Sequence, residues 1–176
     1  MIKTSGLGLF AVLWACTGTI GLLGFSIVRL AKIATDAFAY DWRGYHWLAL
    51  GTMVIFMAYT EGYRGFQKSF SPRVAARIRY LCKHPRPFWI LLAPLFCMGY
   101  FHIRKREKIV IYSLTAGIIL IVVGLRFLAQ PWRGIVDVGV IVGLTWGLVA
   151  TTVFTLRALT AVSFPYAPAL PDEHQS

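Results

Sequence analysis

Apolar positions along this chain come in long runs, not in alternation, and the runs have helical length. Gly6 to Val28 carries no charge over 23 residues. As a helix it would reach about 34 Å, against roughly 30 Å of bilayer hydrocarbon. Gly44 to Thr60, Ile109 to Leu125 and Ile135 to Leu156 repeat the pattern, with Asp137 the one acid inside them. These four runs are the expected membrane spans. Lys3 precedes the first, and no cleavage site of small residues follows closely on its apolar core, so it is expected to stay as an uncleaved anchor. Tyr40, Trp42, Tyr45 and Trp47 cluster around the first connection, as amphipathic rings do at a membrane–water interface.

Two further segments have a different pattern. Over Ser71 to His84, Val74, Ile78, Leu81 and Cys82 share one helical face, and Arg73, Arg77, Arg79 and Lys83 spread over the rest. Ser71 suits the N-cap and Pro72 the first helical position. The spacing predicts a basic amphipathic helix lying at the membrane interface or packing its stripe on the spans. Phe88 to Ile103 is apolar but only 16 residues long, and Pro94 interrupts it. At about 24 Å it falls short of a span, so it is expected to dip in and return, or to lie along the interface.

Charge decides between topologies. Of the 18 Lys and Arg residues, eleven fall between Arg64 and Lys108, including Arg104, Lys105 and Arg106. If Phe88–Ile103 does not span, four helices leave 13 basic residues inside and 5 outside; if it spans, five helices give 10 and 8. The positive-inside bias favours four spans with both termini cytoplasmic. The chain is 57% hydrophobic and 14% charged, against about 25% charged in a soluble domain. The expected fold is therefore an all-α polytopic bundle, with five spans as the alternative. Residues 1–162 form one membrane domain, 61–108 a basic inner-face platform, and 163–176 a disordered tail.

The net charge of +11 would raise nucleic acid as a partner in a soluble protein. Here the basic residues sit between apolar runs, and anionic lipid headgroups are the expected partner, together with another membrane protein or a second copy. The three cysteines, Cys16, Cys82 and Cys97, are widely spaced and form no metal motif. No phosphate loop, nucleophile elbow or paired-carboxylate motif is present, and no cofactor is expected.

Candidate positions are of three kinds. Gly139, Gly143 and Gly147 recur every four residues and form a ridge that another backbone can approach closely. Asp137 lies within a span, where a carboxylate needs a partner or a water-filled cavity; Arg133 is four residues earlier on the same face. Glu61 and Arg64 form the expected polar end of the second span. The function expected from these is non-enzymatic: helix packing, lipid binding or assembly, with Arg73, Arg77, Arg79, Lys83, Arg104, Lys105 and Arg106 as the lipid or partner contacts. The alternatives are a small transporter or channel using Asp137, and a lipid-directed membrane enzyme with Glu61, Arg64 and His102 at the inner interface.

Overall fold

The computed structural model describes residues 6–84, 87–101, 103 and 105–168, without the side chains of 105–107 and 114. It is 85% helical, with no strand among the described residues. Helix α1 runs over Gly6–Asp36, followed by a 3-10 turn at Ala37–Ala39. Next come α2 (Gly44–Met57), a π-helical segment (Ala58–Phe70) and α3 (Ser71–Lys83). Two short helices, α4 (Pro87–Leu91) and α5 (Ala93–Met98), lead to α6 (Lys105–Leu125) and α7 (Trp132–Thr160). Among the described residues, three helices are long and apolar enough to cross a membrane: Gly6–Ala39 with its 3-10 turn, Lys108–Leu125 and Trp132–Thr160.

The helix of the second expected span does not stop at Thr60. Ala58 and Ser71, at the two junctions, both have right-handed helical dihedrals. The chain is thus helical without interruption from Gly44 to Lys83, and runs parallel to α7 over its whole length. His46 packs on Trp132, Met53 on Gly139, Glu61 on Gly143, Phe66 on Gly147, Ser71 on Thr151, and Arg79 reaches Ala158. From Met53 to Ser71 this helix uses 18 residues, while α7 advances only 12, from Gly139 to Thr151. A π-helix has more residues per turn and a shorter rise than an α-helix, so the π segment absorbs the excess. Its facing residues Met57, Glu61, Phe66 and Ser71 recur at four or five, whereas α7 answers at every fourth position.

Helix α1 runs antiparallel to this pair. Its buried positions Gly8, Ala11, Val12, Ala15, Thr19 and Leu23 follow three- and four-residue spacing, as one helical face requires. Near its start, Ala11, Val12 and Ala15 join Val74, Ile78, Leu81, Cys82, Trp89, Ile90, Ala93, Phe96 and Cys97 in one apolar cluster, with Leu159 packed against it. Near its end, Ala34 and Ala37 lie against Gly134. The start of α1 and the ends of α3 and α7 therefore meet at one end of the bundle.

Phe88–Ile103 does not form a single helix. The chain turns at Leu92, and Pro94 sits in the second position of α5 against Gly18 of α1. Gly99 closes α5 in the left-handed region at φ 89°, which glycine adopts without steric cost. Trp89, Ile90, Ala93, Phe96 and Cys97 are buried, so this hairpin is folded into the bundle. The chain beyond α7 is also packed over part of the expected tail. Tyr166 contacts the rings of Phe154 and Phe164, and the Pro168 carbonyl accepts a hydrogen bond from Arg77. The remainder of that tail lies outside the described residues.

Candidate functional site

Helix α3 is where the structure departs most from the amphipathic expectation. The stripe Val74, Ile78, Leu81 and Cys82 is buried as its spacing requires, but so are Ser71, Pro72, Ala75, Ala76 and Arg77. The small side chains of Ala75 and Ala76 widen the face that can be enclosed, and α1, α5 and α7 enclose it.

Arg77 is 2% exposed and does not lie on a lipid-facing surface. Its Nε donates to the Pro168 carbonyl at 2.9 Å, and Nη1 donates to the carbonyls of Phe96 at 2.7 Å and Phe101 at 3.4 Å. The guanidinium also lies over the Phe96 ring, 5.1 Å from its centroid. Phe96 belongs to the last turn of α5, at its negative dipole end, and its carbonyl accepts from Arg77 as well as from the capping Gly99 N–H at 3.1 Å. One buried cation thus joins α3, the end of α5, the following loop and the chain beyond α7.

Arg79 does the same for α7. Its Nη1 donates to Ala158 at 2.9 Å and to Ala161 at 2.8 Å, and Nη2 to Val162 at 2.7 Å. Three donors of one guanidinium fork satisfy carbonyls at the C-terminal end of a helix. Arg73 turns back on its own helix, with Nε on the Ser69 carbonyl at 2.9 Å and Nη2 on Ser69 Oγ at 2.6 Å. Lys83 is exposed. Of the expected lipid contacts, Arg77 and Arg79 are therefore committed to backbone carbonyls. Arg104 and His102 lie outside the described residues, and only the backbone of Lys105 and Arg106 is described.

The glycine ridge faces the helix running from α2 through the π segment. A Cβ on Gly139 would come within 2.9 Å of Met53 Cγ, and one on Gly143 within 3.0 Å of both Cβ and Oε2 of Glu61. Gly147 receives the ring of Phe66. In return Gly62 receives Trp146, whose Nε1 donates to Gln67 Oε1 at 2.7 Å. Below the ridge the seam stays narrow but turns polar: the Ser71 and Thr151 hydroxyls lie 2.9 Å apart, and Thr155 is buried. Glu61 is half-buried in the middle of this seam, and the helix continues past it. Arg64 is exposed and forms no ion pair with it. The π segment explains the separation, because its wider turn moves a residue three positions on to a different face.

Asp137 is 3% exposed, and its Oδ2 lies 3.8 Å from Arg133 Nε, four residues earlier. Neither of those two atoms has a hydrogen-bond partner. The pair is electrostatic contact without the shorter bond that a well-aligned Arg–carboxylate fork makes. Among the described residues no three of His, Cys, Asp and Glu gather as metal donors.

Helix α6 differs from every other long helix. It makes no extended packing against another helix, and no described residue of Lys108–Leu125 is buried. Ile109, Leu120 and Ile121 are 67%, 72% and 63% exposed. Its attachment is near its start, where Tyr112 Oη donates to the Tyr100 carbonyl at 3.2 Å and the Tyr100 and Thr115 hydroxyls are 3.2 Å apart.

Comparison with known protein families, with curated proteins and with solved structures found no match for this chain.

Proposed function

We propose that this chain is a non-enzymatic assembly protein of a cell membrane, and that α6 is the helix it offers to another membrane subunit. The observation that carries this is the contrast between α6 and the rest. The helices α1, α2 with its extension, and α7 bury a continuous seam against one another, whereas α6 stands beside them with apolar residues on all sides. In a bilayer an apolar helix is solvated by lipid as well as by protein, so burial alone does not hold it to its neighbours. Its attachment by hydrogen bonds near Tyr100 leaves the rest of its length free to pack on a partner helix, from a second copy or from another protein.

The same proposal includes four spans with both termini cytoplasmic. The meeting of the start of α1 with the end of α7 supports it, as does the excess of basic residues at that end. Anionic lipid there remains a proposed partner of Lys83, Arg73 and the Arg104–Arg106 stretch. A transporter or channel using Asp137 is less well supported, because Asp137 faces Arg133 within a closely packed bundle.

Replacing Ile118–Val123 of α6 by leucines tests this reading. The expected result is a protein that folds and inserts as before but loses its association in native membranes. Unchanged association, measured by the size of the complex in a mild detergent, would overturn it.

A further inference from the structure

The end of the bundle opposite Arg77 carries an open cleft of about 560 Å³ between α2 and α7. It is lined by apolar side chains almost throughout, among them Ala49, Met53 and Phe56 of α2, Ile135 of α7, and Leu128 from the turn after α6. Along α2 it extends from Tyr45 to Phe56. The eleven rises between these two residues span about 16 Å of helix, roughly half the hydrocarbon thickness of a bilayer. The cleft therefore has the depth of one leaflet, and it opens sideways where lipid chains would be.

Its outer end is marked by aromatic rings and by positive charge. Tyr45 and Trp132 stack there with centroids 6.2 Å apart, and His46 packs edge-on against Trp132 at 5.3 Å. The Arg43 backbone N–H donates to His46 Nδ1 at 3.1 Å, which fixes the start of α2 and leaves the exposed Arg43 side chain outside. Arg43 is two residues before the lining residue Tyr45, and Arg126 two before the lining residue Leu128; both are exposed, so each cation lies within two residues of the cleft's lining. Arg133 beside Trp132 is turned to Asp137. The other acids near this end, Asp36 and Asp41, are exposed on the connection between α1 and α2.

We infer that this cleft binds one anionic glycerophospholipid, with an acyl chain along Ala49, Met53 and Phe56 and the phosphate between Arg43 and Arg126. A zwitterionic lipid would fit the apolar part equally, but its ammonium would cancel part of the attraction. Two cations beside one phosphate, partly opposed in the zwitterionic lipid by its ammonium, predict a preference on the order of tenfold.

The test places the full chain in nanodiscs of equal phosphatidylglycerol and phosphatidylcholine, extracts it into a delipidating detergent, and weighs it by native mass spectrometry. Wild type should retain one phosphatidylglycerol about tenfold more often than phosphatidylcholine. Ala49→Trp and Thr52→Trp should lose the retained lipid, and Leu22→Trp on the exposed face of α1 should keep it. The double variant Arg43→Gln/Arg126→Gln changes only exposed side chains; it should still retain a lipid but without the preference. Absence of a retained lipid in wild type, equal retention of both lipids by wild type, or a second protein chain in its place would overturn the proposal. So would a properly folded Ala49→Trp or Thr52→Trp that keeps the lipid.

Discussion

Arg77 bonds and stacks on the same residue: its Nη1 is 2.7 Å from the Phe96 carbonyl and its guanidinium is 5.1 Å from the Phe96 ring centroid. The backbone contact adds a charged donor to a carbonyl that also accepts from the Gly99 N–H, and the ring contact helps to enclose a cation that is 2% exposed. Hydrogen bonds from charged groups contribute about 1.5–3 kcal/mol each, and those from Arg77 to Pro168 and Phe96 are short, at 2.9 and 2.7 Å. Arg77→Gln is therefore expected to lower stability by roughly 3 kcal/mol, and Arg77→Lys to rescue it only in part, since an ammonium cannot reproduce the fork. Lys83→Gln, at an exposed site on the same helix, should fall within about 0.5 kcal/mol of wild type. Thermal melting in detergent distinguishes these; equal melting of Arg77→Gln and Lys83→Gln would show that the buried contacts carry no stability.

The glycine ridge predicts a graded series. Gly147→Ala places a Cβ against the Phe66 ring, and Gly139→Ala places one 2.9 Å from Met53 Cγ. Overpacking of this kind costs about 1–3 kcal/mol. The flexible Met53 side chain can yield more easily than the Phe66 ring, so Gly147→Ala should be the more damaging. Gly24→Ala on α1 has nothing within 4 Å of the added carbon, and should be neutral or slightly stabilising through helix propensity. Denaturation midpoints of the three variants, measured side by side, give the order.

The Arg133–Asp137 pair makes an asymmetric prediction. Asp137 is buried, and Arg133 is about a third exposed. Arg133→Gln leaves a buried carboxylate without its cation, whereas Asp137→Asn leaves a cation that can reach water. Removing one partner of a fully buried pair costs about 3–5 kcal/mol, and the exposure of Arg133 reduces that to roughly 1–3. Arg133→Gln should be the less stable single variant, and adding Asp137→Asn to it should restore part of the loss. A double-mutant cycle in which both single variants are equally destabilised would point to packing instead.

Thiol chemistry reports on the hairpin. Cys97 is 1% exposed, and burial pushes its thiol far above the ordinary range, with the Arg77 cation acting in the opposite direction. A raised value keeps the thiol protonated as pH rises, and the thiolate is the reactive form. The rate of maleimide labelling at Cys97, with Cys16 and Cys82 replaced by Ala, should therefore stay low between pH 7 and pH 9 in the folded protein. Rapid labelling that rises with pH would mean that α5 is open to solvent.

Much of the architecture was legible in the spacing of apolar residues. The runs at Gly6, Ile109 and Ile135 are helices, the stripe through Val74 and Leu81 is buried, and Gly139, Gly143 and Gly147 do receive another helix. The fate of Glu61 was not legible. A polar stretch after Thr60 reads as the end of a span, and only the four- and five-residue spacing of Met57, Glu61, Phe66 and Ser71 hints that the helix continues with a wider turn. Arg77 and Arg79 were misplaced for a different reason. Helical periodicity assigns charged residues to the outside, but a guanidinium can turn inward to carbonyls at helix ends, enclosed at Arg77 and partly buried at Arg79, and those ends come from distant parts of the sequence. The Arg133–Asp137 contact needed only four-residue spacing and was anticipated from it.

The central proposal, that α6 is offered to another membrane subunit, is tested most directly by photo-crosslinking in native membranes. A photoreactive amino acid at Leu120 or Ile121 of α6 should give one discrete protein adduct. The same group at Leu22 or Phe25, exposed on α1, should give lipid adducts alone. If Leu120 and Ile121 also label only lipid, α6 faces the bilayer and the assembly role fails.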